Sequence, residues 1–133
     1  TEFMADNLKI VLIYAILFVA VFVVAIHCEA QTIVNDKDFN KTKSGISIVE
    51  FWADWNKKNE CNWIAGILNA QSYRIDLDSQ AALDHNITVL PTVIVFNNGE
   101  EIKRFEGNIS FKLCPKRTPK KIQKEIDKLV KKL

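Results

Sequence analysis

Apolar positions along this chain follow two patterns, one long run near the start and short runs between polar turns afterwards. Ile10 to Ile26 is an unbroken apolar stretch of 17 residues. As a helix it would be about 26 Å long at 1.5 Å per residue, the short end for a bilayer span and long for a signal-peptide core. It has no polar face, which argues against a helix packed in a soluble domain. Lys9 precedes it, and Glu29 and Asp36 follow. The positive-inside rule therefore places the amino terminus in the cytoplasm and the following domain outside. Cys28 and Ala30 supply small residues for a cleavage after Ala30, so a cleaved signal and a retained anchor both stay open, with the anchor preferred on length. Thr1-Glu2-Phe3 ahead of Met4 reads as a cloning remnant and is set aside. The expected division is thus 1–3 remnant, 4–30 signal peptide or transmembrane anchor, and 31–133 a single domain.

Within that domain the runs have strand length. Thr32–Val34 is a short strand, and Asn35-Asp36-Lys37-Asp38-Phe39 starts a helix with acids in its first turn. Ile48-Val49-Glu50-Phe51-Trp52 is a central strand with one acid inside it. After Trp55 the chain turns polar, then apolar at helical spacing (Ile64, Ile67, Leu68), which predicts a short helix ending near Leu68 or Ala70. Ser72–Asp78 is the next strand. Ser79 is available to cap a helix through His85, with Ala82 and Leu83 toward the core. Thr92–Phe96, the turn Asn97-Asn98-Gly99 and Glu100–Phe105 form a hairpin. Thr118 caps and Pro119 opens a last helix. There Ile122, Ile126, Leu129, Val130 and Leu133 make one apolar stripe and lysines occupy the remainder.

Several of these stretches resemble the thioredoxin family. Phe51-Trp52-Ala53-Asp54-Trp55 matches that family's approach to its redox pair, and Cys61-Asn62-Trp63-Ile64-Ala65-Gly66-Ile67-Leu68 is similar to the helix carrying its second cysteine. Ile75 to Gly107, with Leu90-Pro91-Thr92 and Gly99 between, keeps the spacing of the family's second half. The redox pair itself departs. Aligned without a gap, Asn56 and Asn59 take both cysteine positions. Aligned on the helix, Cys61 is the second cysteine, Lys58 stands for the first, and two residues are inserted after Trp55; this alignment is preferred. The family's nucleophile is missing in both. The resemblance implies a thioredoxin-like α/β fold, a mixed sheet flanked by helices on both faces. It also implies a cis peptide before Pro91 and a groove beside Trp55, Leu90, Pro91 and Thr92 that holds an extended protein segment. Glu50 falls where the family has an acid assisting proton transfer, and Arg74 near it where the family has a lysine. A structural ion pair between Glu50 and Arg74 is the plainer reading, since burial disfavours a charge unless it is paired. Residues 108–118, including Cys114, are an insertion relative to the family.

Charge is unevenly placed. Residues 31–111 hold 8 Lys/Arg against 11 Asp/Glu, and residues 112–133 hold 9 against 2. A basic tail of this kind is ordinarily a solvated helix face, and no nucleic-acid partner is expected. Three cysteines, Cys28, Cys61 and Cys114, contain no Cys-x-x-Cys. Cys61 and Cys114 are candidates for a non-standard redox pair, and the alternative is two independent thiols. No Cys/His spacing supports a metal, and no phosphate loop or other cofactor site is visible. Three functions remain open: a redox-degenerate, membrane-tethered or exported binding or accessory module; a thiol-disulfide oxidoreductase using Cys61 and Cys114; and a structural subunit of a membrane complex. In the first and third the membrane contact is residues 10–26 and the domain works on the extracytoplasmic side.

Overall fold

A computed structural model describes residues 7–16, 31–113 and 115–133. Residues 7–16 lie in a helix, α1. Its Leu8, Val11, Ile13 and Tyr14 are all more than half exposed. The remainder of the 10–26 run lies outside the described residues, as do positions 1–3 and Cys28. Among the described residues no helix is long and apolar enough to cross a membrane.

The domain is built on five strands: β1 (Thr32–Val34), β2 (Ile46–Trp52), β3 (Gln71–Asp76), β4 (Thr92–Asn97) and β5 (Glu100–Glu106). Their spatial order is β1-β3-β2-β4-β5. β1, β3 and β2 run parallel, while β4 and β5 are antiparallel, giving a mixed sheet. β2 sits at the centre because both of its faces are covered. Ile48, Val49 and Phe51 have no exposed surface, as a continuous run of β-branched and aromatic residues requires.

The pleat divides these side chains between two cores. Val49, Phe51, Ile75, Ile94 and Phe96 face Phe39 and α2 (Gln80–Asp84). Ile48, Val93 and Val95 face Cys61, Ile64, Ile67 and the last helix, α3 (Thr118–Lys131). Ile122 and Ile126 anchor α3 with no exposed surface, and burying each stabilises the domain by about 1.5–3 kcal/mol. Glu50 shares the parity of Ile48, so it points into this second core.

Local chemistry explains the connections. Asn98 and Gly99 have φ of 51° and 85°, as a two-residue hairpin turn between twisted strands demands. Ser79 Oγ accepts from Ala82 N at 3.1 Å and caps α2. Asp36 does not start a helix of its own. Its carboxylate accepts from Gln80 N and Ala81 N, both at 2.9 Å, so it also caps α2. The segment after it is only a 3-10 turn, Phe39–Lys43.

Other expectations are corrected. The helix predicted after Trp55 is replaced by two 3-10 turns, Asp54–Asn59 and Asn62–Gly66. Ile67 turns extended (φ −78°, ψ 132°) and Asn69 takes φ 67°, and the remaining chain is too short for more than a turn before β3. Leu68 is consequently 68% exposed. Leu83 is exposed as well, and Ala81 takes its place in the core beside Ala82. Thr118 is the first residue of α3 rather than its cap, which is Arg117 without a side-chain hydrogen bond. The apolar stripe of α3 fades at its end, where Leu133 is 92% exposed because no sheet lies beneath it.

Candidate functional site

The carboxyl end of β2 carries the site. Glu50 lies opposite Arg74 on β3 and Val93 on β4, and it is fully buried. Its Oε1 accepts from Arg74 Nε at 3.2 Å and from Nη2 at 3.1 Å. Its Oε2 accepts from the backbone N of Cys61 at 2.9 Å. Arg74 spends its other donors nearby, Nη1 to Glu60 Oε2 at 2.8 Å and Nη2 to Gln31 Oε1 at 2.6 Å. Its guanidinium also lies over the Trp52 ring, 5.2 Å from the centroid. One cation thus holds two carboxylates and ties β3 to β2, the 58–63 loop and the start of the domain. The fork geometry of arginine makes this possible where a lysine would supply a single point of charge.

Cys61 sits against this network with 1% of its surface exposed. It is a free thiol. Burial pushes its ionisation well above the ordinary value near 9.0, and the Glu50 carboxylate pushes the same way; the Arg74 charge opposes them without prevailing. A low-pKa cysteine needs the reverse environment, cationic and partly open. At neutral pH Cys61 is therefore a protonated, inaccessible thiol. A consequence is measurable. The folded state keeps the Cys61 proton where the unfolded chain loses it, so this contribution to stability is complete below about pH 9 and is lost as pH rises from there. The unfolding free energy of the parent should fall faster than that of Cys61→Ala above pH 9, by up to about 1.4 kcal/mol per pH unit. Denaturant titrations of both proteins across pH 8 to 10.5 check this, and parallel curves would contradict it.

The two asparagines between Trp55 and Cys61 meet. Asn59 Nδ2 donates to Asn56 Oδ1 at 2.7 Å, and Asn56 Nδ2 donates to Phe111 O at 3.1 Å. Asn56 is buried beneath the insertion that follows β5. Phe111, at φ 60°, stacks edge-on against Trp55 with ring centroids 5.1 Å apart. Trp55 remains 63% exposed. A cleft of about 450 Å³ opens between Lys58, Glu60 and Trp63 and residues Asn108, Lys112, Leu113 and Pro115 of the insertion. Sequence reasoning did not find this cleft or the Phe111 contact, because both depend on how the insertion folds back.

Leu90-Pro91 is a cis peptide. Leu90, Pro91 and Thr92 are all buried. Gly107 N donates to Pro91 O at 2.8 Å. A Cβ on Gly107 would come within 2.5 Å of Leu90 O, so only glycine lets β5 leave the sheet this close to the proline. The structure therefore brings together Glu50, Arg74 and Cys61, and places Trp55 beside Phe111. Cys114 lies outside the described residues, and its relation to Cys61 with it.

A buried acid in the central strand, a tryptophan loop after it and a cis-proline at the start of β4 on a β1-β3-β2-β4-β5 sheet define a thioredoxin-type domain. The chain is 33% identical over 86 residues to a thioredoxin of Staphylococcus epidermidis, covering 56% of this chain and 81% of that protein. No family model matches it. The thioredoxin of Malassezia sympodialis (Mala s 13) superposes with a TM-score of 0.56 at 22% identity, over 75% of this chain and 91% of that one. The thioredoxin of Trypanosoma brucei brucei gives a TM-score of 0.58 at 18% identity, over 77% and 92%. This chain belongs to the thioredoxin family.

Proposed function

We propose that this domain has lost dithiol exchange and acts as a protein-binding or accessory module, tethered to or exported across a membrane through residues 10–26. The observation that carries the reading is the place of Cys61: buried, with its backbone N held by Glu50 of the Glu50–Arg74 pair, where burial favours the neutral thiol. Dithiol exchange needs an accessible thiolate and a resolving thiol placed to attack the mixed disulfide. Here the positions that follow the Trp55 loop are asparagine and lysine. Glu50, spent on Arg74 and the Cys61 backbone, is a structural acid in this reading and moves no proton. An extended partner segment would lie along the exposed face of Trp55, which gives it apolar surface, with the buried Leu90, Pro91 and Thr92 as the floor behind it rather than an open edge.

Insulin reduction with dithiothreitol as electron donor tests this reading. The full chain should show no rate above the dithiothreitol background, and Cys61→Ser should behave identically. A parent rate above background that Cys61→Ser abolishes would replace it with the oxidoreductase reading, in which Cys61 pairs with Cys114.

A further inference from the structure

We infer that the outer face of α3 is a docking surface for an anionic lipid bilayer. Lys120, Lys121, Lys124, Lys128, Lys131 and Lys132 are all exposed. At 3.6 residues per turn they fall within an arc of about 120°, along about 18 Å of helix. The acids of α3, Glu125 and Asp127, lie outside that arc at its two edges. Of these six lysines only Lys128 has an acidic partner among the described residues, Glu125, at 3.5 Å.

Helix stability does not account for this arrangement. Lys128 and Lys131 in the last turn suit the helix dipole, but Lys120 and Lys121 stand in a first turn that holds no acid, where a cation is unfavourable. Lys120, Lys124, Lys128 and Lys132 also repeat at four-residue spacing, where like charges repel. Opposite-sign residues at those positions would serve an isolated domain better. The unfavourable spacing is relieved when a dense array of negative charge lies against the stripe.

A bilayer fits the stripe better than other polyanions do. The face is linear, carries lysine point charges and has no aromatic residue for stacking on bases. Headgroups form a diffuse, planar field that rewards the number of lysines near it and decays within a Debye length. Residues 31–117 carry as many acids as bases, so the net positive charge of the domain is concentrated on this helix. The molecule would therefore be oriented with α3 down. The inference takes from the tethered reading only that a bilayer is within reach.

Lysine footprinting on the full chain tests it. The protein is acetylated with a succinimidyl ester beside phosphatidylglycerol-containing vesicles, beside phosphatidylcholine vesicles, and beside duplex DNA, and each site is read by mass spectrometry. Lys120, Lys124 and Lys128 should react at least fivefold more slowly on the anionic vesicles, while Lys37 and Lys41 keep their rates. The protection should vanish in 0.5 M salt, on neutral vesicles, and in the Lys120→Glu/Lys124→Glu/Lys128→Glu variant at its remaining Lys121. Unchanged stripe lysines on anionic vesicles would overturn the inference, as would equal protection on neutral vesicles or protection by DNA alone. Vesicle flotation separates this from the tether. Chain that still floats in high salt, and whose stripe is unprotected on anionic vesicles at low salt, sinks the docking face and leaves the tether standing. A protected stripe on chain that salt releases does the opposite.

Discussion

Arg74→Ala is expected to destabilise the domain by about 3–5 kcal/mol, the cost of leaving a buried charge without its partner. Glu50 has no exposed surface, so water cannot replace the guanidinium. Glu60 and Gln31 lose their contacts in the same step. At roughly 4–8 °C per kcal/mol for a domain of this size, the melting temperature should fall by well over 10 °C. Arg74→Lys should fall between the parent and Arg74→Ala, because an ammonium cannot reach Glu50, Glu60 and Gln31 together. Adding Glu50→Gln to Arg74→Met should recover part of the loss, since the amide keeps an acceptor for Cys61 N and removes the stranded charge. Thermal melts of the variants check this order. An Arg74→Ala protein within about 1 kcal/mol of the parent, the range of an exposed ion pair, would show that the network is not the structural centre of the site.

The second large effect is a gain. Asn56→Cys/Asn59→Cys is expected to form an intramolecular disulfide and to reduce insulin at roughly tenfold or more above the parent rate. The two side chains already touch at 2.7 Å, within a 3-10 turn that leaves the protein from β2 past Trp55. Lys57 and Lys58 lie between them and favour a thiolate. Replacing Asn56 also removes its hydrogen bond to Phe111 O, loosening the insertion above it. The gain should survive Cys61→Ala, because Cys61 has no part in it. Lys58→Cys provides the contrast, creating a Cys-x-x-Cys with Cys61, the pair of the alignment preferred from sequence; the Asn56–Asn59 contact and the burial of Cys61 favour the ungapped pair instead. Turnover from Lys58→Cys and none from the double variant would mean that two residues are inserted after Trp55 and that position 61 is the family's second cysteine.

Much of the fold was legible because single residues carry it. The apolar run of β2, the Asn98-Gly99 turn, Ser79 as a cap and Pro91 each specify a local geometry that the sheet then uses. The failures share a cause: sequence spacing does not show which neighbour is available. Ile64, Ile67 and Leu68 have helical spacing, yet Ile67 turns extended, Asn69 takes a positive φ, and only the first two reach the core. Leu83 follows the pattern of α2, but Ala81 is the residue over the sheet. Asp36 looks like the first turn of its own helix and instead caps one more than forty residues later, through contacts to Gln80 and Ala81. In the site, the acid and arginine were legible through the resemblance, which puts an acid at Glu50 and a cation near it at Arg74. The Glu60 and Gln31 contacts were not, because no pattern reports where a loop folds. The same holds for Phe111 over Trp55, set by an insertion whose one signal was its extra length.

The central claim is that Cys61 is not a nucleophile, and native-state alkylation tests it most directly. The full chain is treated with iodoacetamide at pH 7.5, quenched over time and mapped by mass spectrometry, with a denatured control. The account predicts that Cys61 stays unmodified while the protein is folded and is labelled fully once it is unfolded. Labelling of Cys61 within minutes in the native protein, or its recovery in a disulfide with Cys114, would contradict the account and return the domain to dithiol chemistry.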